Sequence, residues 1–151
     1  MRPVQGWLFA LTISFAYGLT IPPSPQSLAY IGDSVYETLI RTHFLTPPKS
    51  TTIYRKLVTS AVCAEFQAQI LKTLKDSNFL TPLEEVVVVQ GRNSVNSRKH
   101  TVPKRFSKNK EGGGFGAVYG DASGFEALVG YLHLTDEKRL QELQALVLNL
   151  L

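Results

Sequence analysis

From Ser24 onward the apolar residues recur every three to four positions, and no stretch alternates convincingly with the period of two that a half-buried strand requires. Ser24 followed by Pro25 reads as a helix start, because proline at the first helical position sacrifices only an N–H that has no partner anyway. That helix is predicted to run to about Leu45, where Thr46-Pro47-Pro48 ends it. Ser50 caps a long second helix through about Lys75, amphipathic through Ile53, Leu57, Ala61, Ala64, Ala68 and Leu71. Thr81-Pro82-Leu83-Glu84 has the form of a capping box and opens a third helix. The β-branched run Val86 to Val89 is assigned to that helix on the strength of its cap. A fourth helix is predicted over about Ala122 to Leu134. A fifth, capped by Thr135, carries a stripe of Leu140, Leu143, Val147 and Leu150. The predicted class is all-α.

One stretch of the first helix stands out. Leu28, Ile31, Val35 and Leu39 mark its predicted buried face, yet Asp33 lies among them. Ala29 and Gly32 are small, so a second helix can approach closely there, either from the same chain or from a second copy. A glycine inside a helix costs about 1 kcal/mol relative to alanine, which asks for a packing or functional reason. An acid in such company needs a partner. Either a neighbouring Tyr or Arg bonds Asp33, or the carboxylate is there to bind a metal ion. A second acid in an apolar setting follows in Asp121-Ala122-Ser123-Gly124-Phe125-Glu126, where Phe125, Leu128, Val129 and Leu132 form a core face and Glu126 falls near the predicted helix start. Two helices that each present one acid beside a small residue can place Asp33 and Glu126 around a common Mg²⁺, which is held by one or two carboxylates while keeping several waters.

Charge adds a third feature. Arg92, Arg98, Lys99, Lys104, Arg105, Lys108 and Lys110 fall within a segment that contains no acid. The other nine Lys and Arg face 12 acids, so the net charge of +4 comes entirely from this loop. Such a loop suits phosphate contacts, which supply affinity and salt dependence. Only Phe106 is interleaved with the bases, which favours a duplex over a single strand stacked on aromatic rings. The one cysteine, Cys63, excludes an intrachain disulfide and a Cys-based zinc cluster, and its apolar neighbours suggest a small buried filler. His43, His100 and His133 have no ligand spacing, and the Gly112 to Gly116 run has no following Lys-Ser/Thr of a phosphate loop.

The chain has 151 residues, enough for one domain. Trp7 to Leu19 is apolar, short for a membrane span, and without the small-residue cleavage pattern of a leader. The expected division is therefore an apolar N-terminal extension over residues 1–22 and a folded domain over 23–151, with no membrane partner.

Ala29-Tyr30-Ile31-Gly32-Asp33-Ser34-Val35-Tyr36-Glu37 resembles the signature helix of the ribonuclease III fold in its Mini-ribonuclease III variant. Gly91-Arg92-Asn93, Thr101-Val102-Pro103-Lys104 and Phe125-Glu126-Ala127-Leu128-Val129-Gly130-Tyr131-Leu132 follow in that family's order, and Val58-Thr59-Ser60-Ala61 and Gln67-Ala68 are similar to its second-helix region. The resemblance covers about Ser24 to Leu151. It implies an all-helical homodimer that cuts double-stranded RNA with Mg²⁺ and matures the large ribosomal RNA precursor. By position it makes Asp33 and Glu126 the catalytic, metal-binding carboxylates. The basic loop supplies the expected RNA-binding set, Arg92, Asn93, Arg98, Lys99, Lys104 and Arg105. The larger relatives carry two further acids where this chain has Gln26 and Ser123, a reduction the Mini branch shares; Asp121 is near but out of register. The implied compartment is the cytoplasm, with a plastid as the alternative. A non-catalytic RNA-binding or ribosome-associated module on the same fold is the second reading, and a helical dimerisation protein the third. Both acids favour the enzyme over the second, and the basic loop weighs against the third.

Overall fold

The structure, a computed structural model, describes residues 23–96 and 115–151. Among them are six α-helices and no strand: α1 (Pro25–His43), α2 (Thr51–Val62), α3 (Ala64–Asp76), α4 (Pro82–Asn96), α5 (Phe115–Thr135) and α6 (Glu137–Leu148). The apolar extension, Arg98, Lys99, Lys104 and Arg105 lie outside the described residues, as does most of the glycine-rich run. Among the described residues no helix is long and apolar enough to cross a membrane.

The bundle is built around α5, whose residues from Ala122 to Leu132 are buried except Glu126. It packs against α1, α3, α4 and α6. Small residues make such crowding possible. A Cβ on Gly32 would collide with the Glu126 carbonyl oxygen, and one on Gly130 with that of Leu28, so α1 and α5 touch backbone to backbone. On the α4 side, a Cβ on Gly124 would lie 2.9 Å from the Val88 oxygen, and one on Gly91 2.8 Å from that of Ser123.

This crossing turns the buried face of α1 away from the expected one, keeping only Leu28 of the four residues that marked it. Leu28, Ala29, Gly32, Tyr36 and Ile40 are buried, whereas Ile31, Val35 and Leu39 are only half-buried. Gly32 draws its own side of the helix into the core, because only that side lets α5 approach. Tyr36 fills the space behind it, its ring edge-on to Phe125 with centroids 5.2 Å apart and its hydroxyl donating to the Ala61 carbonyl at 2.7 Å. Gly32 therefore serves an intrachain contact.

Local signals place most boundaries. Ser24 accepts from the Ser27 N–H at 3.1 Å and Ser50 from the Ile53 N–H at 3.4 Å. Three boundaries move. The long second helix is split at Cys63, whose extended backbone (φ −70°, ψ 153°) ends α2 and begins α3. Cys63 is thus a half-buried joint, not a buried filler. The last helix is capped by Asp136, which accepts from the Arg139 N–H at 3.0 Å, while Thr135 stays inside α5 and bonds back to the Tyr131 carbonyl. The third difference is longer. α5 begins at Phe115, so Glu126 sits in mid-helix and not near its start. Packing of α4 against Gly120 and Gly124 supports turns that helix propensity alone disfavours.

The capping box at α4 is formed: the Thr81 N–H donates to Glu84 at 2.8 Å and the Glu84 N–H to the Thr81 hydroxyl at 3.3 Å. Glu84 also takes a two-pronged contact from Arg139, at 2.8 and 3.1 Å, and that guanidinium lies 3.9 Å over the Phe79 ring. Burial alone would raise the Glu84 carboxyl, but Arg139 and the Thr81 groups outweigh it and hold it below its ordinary 4.5. Removing one partner of a buried pair strands the other charge, so Arg139→Met should cost about 3 kcal/mol at neutral pH. A depressed carboxyl pKa contributes stability above the unfolded value and loses it as pH falls through the folded value. Urea titrations of both proteins should therefore converge below pH 4.5. A constant difference down to pH 3 would assign the loss to packing alone.

Candidate active site

A cavity of about 520 Å³ opens where α1, the α2–α3 joint, α4 and α5 converge. α1 contributes Gln26, Ala29, Tyr30 and Asp33; Val62, Ala64 and Gln67 come from either side of the joint; Ser94 comes from α4, and Tyr119, Ala122, Ser123 and Glu126 from α5. The two acids singled out from the sequence thus line one cavity. Their meeting follows from the helix crossing: Gly32, next to Asp33, abuts the backbone of Glu126 itself.

The electrostatics show the cost of that placement. Burial pushes the Glu126 carboxyl up to about 7, the charge of Asp33 adds to the effect, and a hydrogen bond from Gln67 opposes it. Asp33 is more exposed. Burial raises its carboxyl, Glu37 raises it further, and Arg41 opposes the rise. Arg41 is itself engaged by Glu37 in an ion pair at 2.6 Å. Two carboxylates that disfavour each other's ionisation form a site suited to a cation. The neighbouring polar groups are amide and hydroxyl, from Gln67 and Ser123, and among the described residues no third His, Cys, Asp or Glu completes a cluster with the acids. An oxygen-rich set with two carboxylates fits a hard ion such as Mg²⁺ that retains waters, and does not fit zinc.

The remaining candidates lie elsewhere. Arg92 and Asn93 line a separate, smaller pocket of about 120 Å³ with Gly116, Ala117 and Gly120. Arg92 Nε is 2.9 Å from Asp121 Oδ1, an ion pair without the alignment of a hydrogen bond. Asp121, out of register for the acid pair, therefore belongs to the α4–α5 contact. Gln26, at the place of a missing acid, donates to the Ser94 carbonyl at 3.3 Å and ties α1 to α4. The sequence placed Gln67 in the second-helix resemblance but gave it no role at the site. Its signal was a polar residue inside the apolar run of α3, where it is 2% exposed.

Residues 26–137 match the sequence profile of the Ribonuclease III domain. The chain is 41% identical over 119 residues to the Mini-ribonuclease 3 of Thermosynechococcus vestitus, covering 79% of this chain and 70% of that one. It is 41% identical over 124 residues to the Mini-ribonuclease 3 of Synechocystis, covering 82% and 77%. The Enterococcus faecalis Mini-ribonuclease 3 shares 37% over 119 residues, covering 78% and 82%. A crystal structure of a Fusobacterium nucleatum protein superposes with a TM-score of 0.65 at 24% identity, covering 83% of this chain and 92% of that one, and so shares the fold. With two acids gathered in one cavity on that fold, the chain belongs to the ribonuclease III family as an endoribonuclease of the Mini-ribonuclease 3 type.

Proposed function

We propose that the protein cuts double-stranded RNA in a Mg²⁺-dependent reaction, as a homodimer, and that the precursor of the large ribosomal RNA is its substrate. The observation that carries the chemical part is the convergence of Asp33 and Glu126 in one cavity. A bound Mg²⁺ supplies charge stabilisation at the phosphate and a water of lowered pKa. Asp33 and Glu126 would hold the ion, Asp33 from the exposed side and Glu126 from the half-buried side. The cavity is open enough for a backbone phosphate, and its rim carries the exposed Tyr30. Arg92, Asn93, Arg98, Lys99, Lys104 and Arg105 are assigned to the RNA backbone. Duplex RNA is read largely by shape and phosphate, which suits a basic segment such as Arg92 to Lys110.

Pairing of two copies is supported by the face of α1 that the core leaves half-covered. Val35 and Leu39 line a groove of about 490 Å³ with Leu140 of α6. A duplex has two strands, and a two-fold dimer provides one acid pair for each. Sedimentation should give a dimer at micromolar concentration; a monomer that cuts both strands would overturn the pairing.

The direct test incubates the protein with a perfect RNA duplex, with and without Mg²⁺. Cleavage should require the ion, and single-stranded RNA should survive. Binding in metal-free buffer should weaken with salt. Combining Lys104→Ala with Arg105→Ala should lower the salt slope by about one for each phosphate the protein no longer neutralises. Binding without cleavage under every metal condition would favour the non-catalytic reading.

A further inference from the structure

We infer that Gln67 is a positioning residue for the acid pair, its side-chain amide donating to the Glu126 carboxylate and fixing the orientation in which that carboxylate meets a metal ion beside Asp33. The inference rests on the proposed metal-dependent reading and adds a residue to that site.

Three observations carry it. Gln67 is buried at 2% exposure in α3, beside Ile70, Leu71 and Leu74, where an aliphatic side chain would satisfy packing alone. A buried amide needs a hydrogen-bonding partner, and one left without any costs about 1–3 kcal/mol. Its side chain lines the cavity that holds both acids, and the Gln67 amide opposes the rise of the Glu126 carboxyl, as a donor facing that carboxylate does. The backbone is arranged for this interaction. The chain turns out of helix at Cys63, and the Gln67 N–H bonds the Cys63 carbonyl at 3.1 Å in the first turn of α3. The break sets the direction from which residue 67 enters the cavity, which an uninterrupted helix from Thr51 to Asp76 would not reproduce.

Glu126 lies in mid-helix and shares the cavity with Gln67 and with the Ser123 hydroxyl of its own helix. On either side along α5 stand Phe125 and Ala127, both buried in the core. A carboxylate that ligates an ion through one oxygen is oriented by a donor on the other, and loss of such donors characteristically weakens metal affinity or activity by about 10- to 100-fold.

The test uses Gln67→Met, which keeps length and volume without a donor. Mn²⁺ binding is followed by electron paramagnetic resonance, and cleavage of duplex RNA across a Mg²⁺ titration. Thermal melts of the metal-free proteins are run alongside. Gln67→Met should melt within a few degrees of wild type, bind Mn²⁺ about 10- to 100-fold more weakly, and recover much of its cleavage as Mg²⁺ is raised. Gln67→Asn is one methylene shorter with the same amide. It should show the same weakening, and it serves as the readout if the methionine variant melts early. Wild-type Mn²⁺ affinity in the folded variant overturns the inference, as does impaired cleavage that raised Mg²⁺ leaves unrecovered. If both variants unfold, Gln67 is a folding residue and the inference fails. Asp33→Asn distinguishes the two levels. If it too keeps wild-type Mn²⁺ affinity, the acid pair is not a metal site; if it loses binding while Gln67→Met does not, only the role of Gln67 falls.

Discussion

Glu126→Gln and Asp33→Asn should each abolish cleavage while leaving a folded protein that still binds duplex RNA. Each amide keeps the shape of the side chain and removes the charge that would hold an ion, and loss of a comparable charge-stabilising group costs other enzymes about 10²- to 10³-fold in rate. The RNA-binding charges are elsewhere in the chain and remain. Metal-free stability should move the opposite way from activity. Glu126 has an ordinary value of 4.5 and is pushed up to about 7 in the fold by burial and by Asp33. A raised carboxyl pKa contributes stability that is fully present below the unfolded value and is lost as pH rises through the folded value. Wild-type protein in chelator should therefore lose stability between about pH 4.5 and pH 7 relative to Glu126→Gln. Above that window the variant should be the more stable by on the order of 1–3 kcal/mol. Thermal melts at pH 5 and pH 8 in EDTA check the sign. A variant destabilised at both values would make Glu126 a structural acid, and near-normal Mg²⁺-dependent cleavage would remove it from the chemistry.

Gly32→Ala should have the largest effect of any single methyl group added to this protein. The new Cβ would be driven into the Glu126 carbonyl, a backbone atom that cannot rotate away. α1 and α5 would have to separate, and overpacking of this kind costs about 1–3 kcal/mol, occasionally more. Activity should suffer further, because the same crossing sets Asp33 against Glu126 and a misplacement of about 1 Å near reacting groups costs about 10²-fold. Gly130→Ala meets the Leu28 carbonyl and should behave similarly. Gly116 lies in the first turn of α5 with nothing within 4 Å of an added Cβ. Gly116→Ala should therefore be neutral or slightly stabilising, by at most about 1 kcal/mol, since alanine is the better helix former. Urea titrations of the three variants, with cleavage rates measured on those that fold, test the ranking. Equal stability of Gly32→Ala and Gly116→Ala would contradict the close approach of the two backbones.

The residues that could be read from the sequence were those whose signal is local. A cap is a bond between neighbours, so Ser24, Ser50 and the Thr81–Glu84 box could be placed without knowing the rest of the fold, and the box decided that four consecutive valines are helical. The all-helical class followed from periodicity. Asp33 and Glu126 stood out as acids within apolar stretches of sequence, although the structure leaves Asp33 exposed, and the resemblance of their motifs pointed to their family.

What only the tertiary structure decided concerns direction. Periodicity marks a stripe of apolar residues but not which edge of it faces the core, and in α1 the answer came from Gly32, whose missing side chain admits the α5 backbone. Ile31, Val35 and Leu39 were displaced to the outer edge as a result. The break at Cys63 carries no glycine or proline to announce it; it arises where α2 and α3 must turn to pack separately. Gln67 reached the cavity of Glu126 only through that turn, because the two residues lie on helices far apart in the chain. Likewise, Arg139 reaches Glu84 across 55 positions, and a pairing at that distance has no period to betray it. Local bonds are encoded in neighbouring residues, whereas the meeting of two acids in one cavity depends on how closely two backbones can approach.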